Sequence, residues 1–124
     1  MKGKAATIAC GLLFALALAG CGAAAASPNT ITMGAADFSG NTTITIKVGQ
    51  AVHFTNPSPS LHELVVGMNA IPIPQTGAPA VLNVAAGDKF NPGDNQTITF
   101  SVAGTYTITC IVHPSMQATI KVTP

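Results

Sequence analysis

The stretch YTITCIVHPSM, from Tyr106 to Met116, changes character at its middle. Tyr106, Ile108 and Cys110 alternate with Thr107 and Thr109, which is the period of a strand with one buried face. Beyond Cys110 the alternation stops, and Pro114 bars a central strand. The strand therefore turns the Cys110 thiol inward, and the loop after it brings His113 and Met116 within seven residues of the sulfur-bearing end. A thiolate, an imidazole and a thioether so close together form three corners of one candidate metal site.

The same two-residue period recurs on both sides of this stretch. Upstream, Thr42, Ile44, Ile46 and Val48 alternate with Thr43, Thr45 and Lys47. Val52 and Phe54 share an inner face, which puts His53 on the opposite one as a surface histidine. Leu64 to Met68 is apolar at every position, as in a strand covered on both faces. Gln96, Ile98, Phe100 and Val102 alternate with Thr97, Thr99 and Ser101, and Ala118, Ile120 and Val122 form the last inward row. Thr30 to Met33 and Val81 to Val84 are short strand candidates. Asn56 to Ser60 and Phe90 to Asp94 are turns, and Asn69 to Pro79 is a loop interrupted by Pro72, Pro74 and Pro79. No helical stripe appears after residue 28. About 7–8 short strands rich in Thr, Val and Ile, punctuated by Gly and Pro, predict an all-β fold, a single β-sandwich. Residues 29–124 suffice for one domain with one core.

The beginning reads differently. Met1-Lys-Gly-Lys4 is basic, Ala5 to Ala19 is apolar, and Leu18-Ala-Gly-Cys21 resembles a lipoprotein processing site, with ordinary cleavage after a small residue near Ala26 as the alternative. Residues 1–20 are expected to be a signal peptide and 21–28 a lipidated Cys21 with a flexible tether. That predicts an exported protein, in the periplasm or on the outer cell surface, held to a membrane by its lipid. Cys10 leaves with the signal and Cys21 carries lipid, so Cys110 has no disulfide partner. A lone thiol in an oxidising compartment is buried and inert, reactive, or bound to metal. Residues 29–124 carry three lysines against four acids, a side-chain balance of −1. No basic patch exists for nucleic acid.

The site lacks one strong ligand, and His62 in SLHELVV is the best candidate to supply it. Two His, one Cys and a weak axial Met make a mononuclear blue-copper site. Zinc fits less well, because it seldom uses Met. A thiol enzyme pairing Cys110 with His113 or His62 is a rival. Against it stand the inward direction of Cys110 and the absence of a third, orienting group. A purely structural sandwich would not need these four residues at one end. Met33 and Met68 read as core or surface residues.

These residues, with ITIKVGQAVHFTN, SLHELVV, FNPGDNQTITF and GTYTITCIVHPSM in that order, give a chain that resembles the cupredoxins of the plastocyanin and amicyanin type, from about Thr30 to Val122. The Cys-x2-His-x2-Met spacing is similar to amicyanin's short ligand loop. The resemblance implies Greek-key connections, copper as the cofactor, His62 as the early ligand, Cys110 and His113 as the loop ligands, and Met116 as the axial one. It further implies a non-enzymatic carrier of single electrons between extracytoplasmic or membrane-bound redox partners that dock near His113. Copper storage, delivery or resistance is the alternative. A monomer is expected.

Two positions depart from the family pattern. Glu63 stands where an Asn commonly pins the ligand loop, and Val112 where Pro is common. An N–H at Val112, which Pro lacks, is expected to point at the Cys110 sulfur and raise the potential. An apolar surface around His113 is expected from Pro57, Pro59, Leu61, Val112, Pro114 and the Ile71-Pro-Ile-Pro74 loop, with Glu63 as its one isolated charge.

Overall fold

The computed structural model describes residues 28–124. The expected signal segment 1–20, Cys21 and the tether to residue 27 lie outside the described residues. Among the described residues, ten strands form two sheets. The first sheet has β1 (Thr30–Met33), β2 (Phe38–Ser39), β4 (Ala51–Thr55) and β8 (Asn95–Thr99) in the order β2-β1-β4-β8. The second has β3 (Thr43–Lys47), β10 (Gln117–Thr123), β9 (Gly104–Cys110), β5 (His62–Met68) and β6 (Ile71–Pro72) in the order β3-β10-β9-β5-β6, with β7 (Asp88–Phe90) also on β5. The chain changes sheet between β2 and β3, β3 and β4, β4 and β5, β7 and β8, and β8 and β9. These crossings allow the parallel pairs β1 with β4 and β3 with β10 among otherwise antiparallel neighbours.

The alternating rows meet between the sheets. Ile44 and Ile46 from β3, Val52 and Phe54 from β4, and Tyr106, Ile108 and Cys110 from β9 are all buried in one core. β-Branched and aromatic side chains suit a pleated surface buried on one face. The ends of two rows behave differently from the expectation. Val48 and Val102 are exposed, because β3 stops at Lys47 and β8 at Thr99. The chain turns at Val102, whose carbonyl accepts a hydrogen bond from the Tyr106 hydroxyl (2.8 Å).

The strand count exceeds the expected 7–8 because β2, β6 and β7 are two or three residues long, too short for a period to show. Val81 to Val84 is not a strand. The Leu82 and Asn83 N–H groups both donate to the Pro79 carbonyl at 3.0 Å, which winds this stretch into a turn. The turn drives Leu82 into the core, and its carbonyl accepts from the Val66 N–H (2.7 Å).

β5 is covered on both faces, as its unbroken apolar run implied. Leu64 and Val66 join the core, while Val65 and its register partner Thr109 are fully buried on the other face. The β5–β6 hairpin turns tightly through Asn69 and Ala70, at φ 53° and 64°. Gly67 makes its close return possible, since a Cβ there would collide with the Ile71 carbonyl oxygen. Gly67→Ala is expected to destabilise the metal-free protein by about 1–3 kcal/mol, the usual cost of overpacking. Urea denaturation followed by circular dichroism checks this.

Candidate metal centre

β5 and β9 lie antiparallel with Leu64 opposite Cys110, so the start of β5 and the end of β9 meet at one end of the sandwich. That register brings His62 to the thiol. Cys110 Sγ lies 3.9 Å from His62 Nδ1 and 3.7 Å from His113 Nδ1. The two imidazole centroids are 4.9 Å apart, and the ligand atoms of His62, Cys110 and His113 all fall within 4.8 Å of one another. With zinc's bond lengths as the scale, about 2.0–2.1 Å to nitrogen and about 2.3 Å to sulfur, a trigonal ion would hold N and S about 3.8 Å apart. The observed separations match that span. Met116 ends the same loop, fully buried, with its N–H donating to the His113 carbonyl (3.0 Å). The four residues expected as ligands are thus carried by adjoining strands and one short loop, and the ligand atoms of His62, Cys110 and His113 fit a single ion.

His62 is fully buried, and a hydrogen-bond network determines which of its nitrogens is free. The network begins at Asn56, also buried. Asn56 Nδ2 lies 2.8 Å from the Ser60 carbonyl oxygen and 3.0 Å from those of Phe90 and Asn91, so that end is the NH₂ donor. Asn56 Oδ1 then accepts from the Ser58 N–H (3.2 Å) and the Ser58 hydroxyl (2.7 Å). The Ser58 hydroxyl has one hydrogen, now used, so its oxygen must accept from His62 Nε2–H at 3.1 Å. His62 Nδ1 is left with a lone pair facing Cys110. Fixing a ligand imidazole's tautomer through its other nitrogen is how outer hydrogen bonds orient metal ligands. Burial lowers the His62 pKa below the ordinary histidine value, and neighbouring His113 adds to this, while the Gly34 backbone opposes it. Burial and His113 thus favour the neutral ring, the form that binds a metal, and the Gly34 backbone acts against them.

The sequence shows only a Pro- and Ser-rich turn before His62 and not the Asn56–Ser58 network. Asn and Ser do readily bond to nearby backbone groups in turns, but the partners here arrive from residues 90 and 91, distant in sequence.

The reading of Val112 needs correction. Among the described residues, the N–H that donates to the Cys110 sulfur is that of Glu63, at 3.4 Å. Val112 is not among the sulfur's partners. The Glu63 carbonyl accepts from the Ile111 N–H (2.9 Å), so its main chain pins both the sulfur and the loop whatever its side chain. The side chain turns instead to Lys89 (3.9 Å), its register partner on β7, and is not an isolated charge. Val112→Pro is accordingly expected to leave the reduction potential almost unchanged, as voltammetry of the copper-loaded variant would show.

A buried thiol flanked by two imidazoles, with a thioether on the same loop at one end of a β-sandwich, defines a mononuclear copper centre of the cupredoxin class. The chain belongs to the copper-binding proteins of the plastocyanin/azurin family, whose sequence profile matches residues 26–123. His62, Cys110, His113 and Met116 form its type 1 copper site.

Solved structures agree on the fold. Amicyanin from Paracoccus versutus (Thiobacillus versutus) is 21% identical over 75% of this chain and 78% of its own, with a TM-score of 0.56. A reduced Cu(I) form of an amicyanin mutant at pH 4 is 23% identical over 79% and 84%, with a TM-score of 0.57. A reduced-state amicyanin mutant with Tyr in place of Trp is 23% identical over 75% and 79%, at 0.56. No curated protein sequence matches the chain.

Proposed function

We propose that this protein carries single electrons between redox partners that meet it outside the cytoplasm or at a membrane. The observation that supports this most is the graded exposure of the ligands. His62, Cys110 and Met116 are fully buried, whereas His113 is half-buried in the loop at the end of the sandwich. Copper supplies the one-electron change between Cu(II) and Cu(I). Cys110 would hold the ion through its thiolate and His62 and His113 through their Nδ1 atoms, and Met116 would be the weak thioether ligand that tunes the potential. Ser58 holds His62, and the Glu63 main chain holds the sulfur and the loop, so these side chains need little rearrangement on reduction. Small rearrangement makes electron transfer fast, and the exposed edge of His113 is the way in.

Copper storage or delivery would use the same residues but needs an exchangeable site, and three fully buried ligands oppose release. Cycling the copper-loaded protein between oxidation states beside a Cu(I) chelator separates the two. Retention of the metal over many cycles is expected. Rapid transfer to the chelator would favour copper delivery.

Partners are proposed to dock around His113 on a monomer. Pro57, Pro59, Leu61, Val112 and Pro114, each one residue from Ser58, His62 or His113, are exposed there. Ile71 and Pro72 pair instead with the Gly67–Met68 end of β5. Because Glu63 is matched by Lys89, electron transfer with small cationic and anionic complexes is expected to change less than about threefold from low to high salt. Steered association falls steeply with ionic strength, and a fall of tenfold or more with one sign of complex would place a charged patch at the portal. Export and lipid attachment at Cys21 remain part of this proposal, supported by the basic start, the apolar run from Ala5 to Ala19 and Leu18-Ala-Gly-Cys21.

A further inference from the structure

Thr109 precedes a ligand and is buried on the face of β9 that points away from the core. Its hydroxyl donates to the Met116 carbonyl at 3.0 Å. Met116 closes the ligand loop that begins at Cys110, so this one side chain joins the residue before the loop to the residue that ends it. The same oxygen accepts from the Ala70 N–H at 3.1 Å. A second bond runs parallel to it, from Gln117 Nε2 to Asn69 Oδ1 at 2.9 Å. The β5–β6 turn is thus fastened to residues on either side of the ligand loop.

That turn holds two successive non-glycine residues in the left-handed region, Asn69 at φ 53° and Ala70 at φ 64°. Asn tolerates this conformation, whereas Ala does not adopt it routinely. A strained pair persists where its surroundings over-determine it. Here the surroundings are the two bonds to the loop and the tight hairpin return at Gly67.

We propose that the Asn69–Ala70 turn is a clamp on the ligand loop and that Thr109, through the Met116 carbonyl, is a positioning residue for the axial sulfur. The proposal rests on Met116 being the axial ligand. Thr109 lies between two polar groups that no longer have it as a partner if its hydroxyl is lost, the Ala70 N–H and the Met116 carbonyl. Removing it frees the Met116 backbone while leaving all four ligands in the chain.

The test compares Thr109→Val, which keeps the shape and loses the hydroxyl, with Thr109→Ser, which keeps the hydroxyl. In the metal-free protein, amide hydrogen exchange at Ala70 and Met116 should quicken at least tenfold in Thr109→Val and stay within about threefold of the parent in Thr109→Ser. In the copper-loaded protein, Thr109→Val should change the Cu(II)/Cu(I) equilibrium constant against a common mediator by at least about threefold, with an altered Cu(II) EPR spectrum, and Thr109→Ser should restore both. Unchanged exchange and potential in a folded Thr109→Val protein would overturn the clamp. If that variant does not fold, Gln117→Ala decides, since it cuts the parallel bond at a half-buried site. Quickened exchange at Ala70 and Met116 supports the clamp, and unchanged exchange overturns it. Met116→Leu tests the ligand reading separately. An unaltered spectrum and potential there would remove Met116 from the metal, whatever the exchange rates show.

Discussion

Cys110→Ser is expected to erase the visible thiolate-to-Cu(II) charge-transfer band and weaken copper binding by more than the roughly 10–100-fold that loss of a ligand's hydrogen-bonding partner costs. A hydroxyl is a harder and weaker ligand than a thiolate. The fold should survive, because Cys110 is one small member of a core that includes Phe54, Phe90, Phe100, Tyr106 and Ile120. The two outcomes are read together, by copper titration monitored in the visible and by thermal unfolding of the metal-free variant. A variant that keeps the band would remove Cys110 from the site. A variant that fails to fold would show that the sulfur's packing matters more than its neighbours suggest.

Asn56→Ala should have the largest effect on stability. Asn56 is almost fully buried and its side chain joins five polar groups: the carbonyls of Ser60, Phe90 and Asn91, and the N–H and hydroxyl of Ser58. Each buried group left unpaired costs about 1–3 kcal/mol. A loss of about 3 kcal/mol or more is expected, which lowers the melting temperature of a domain this size by at least about 12 °C. Asn56→Asp makes the test specific. It keeps the shape and the acceptor toward Ser58 but loses the NH₂ that serves three carbonyls, so it too should destabilise. If Asp is tolerated like Asn, the amide is not the hub of this network. In Asn56→Ala the Ser58 hydroxyl also loses its acceptor, so it can donate to His62 Nε2 and stabilise the wrong tautomer. Copper uptake by the folded fraction should therefore slow as well.

The contrast between these two residues shows what could be read from the chain alone. Cys110 was legible because its signal is local. Strand period aims it inward, and His113 and Met116 follow at a spacing that suits one ion. His62 was legible more weakly, as a histidine opening an apolar strand after a turn. Asn56 was not, because its partners Phe90 and Asn91 become neighbours only after β7 pairs with β5. The Glu63 N–H failed to stand out for a related reason. A main-chain donor carries no residue-type signal, whereas the Val112 difference from Pro is visible in the sequence. Leu82 shows a third limit. The run Val81-Leu-Asn-Val84, three of its four residues apolar, is compatible with a strand or a turn, and here the Pro79 carbonyl captures two N–H groups and makes a turn. The alternating rows, by contrast, placed the sandwich core correctly except where a strand ended early, at Val48 and Val102.

The four side chains are proposed to hold one copper ion ready for reversible electron transfer. Addition of one equivalent of Cu(II) to the metal-free protein, followed by voltammetry of the product, tests it most directly. An intense visible charge-transfer band that saturates at one copper per chain is expected, with a reversible one-electron wave and the metal retained in both states. A pale product without that band, or a wave that disappears as Cu(I) leaves the protein, would contradict it.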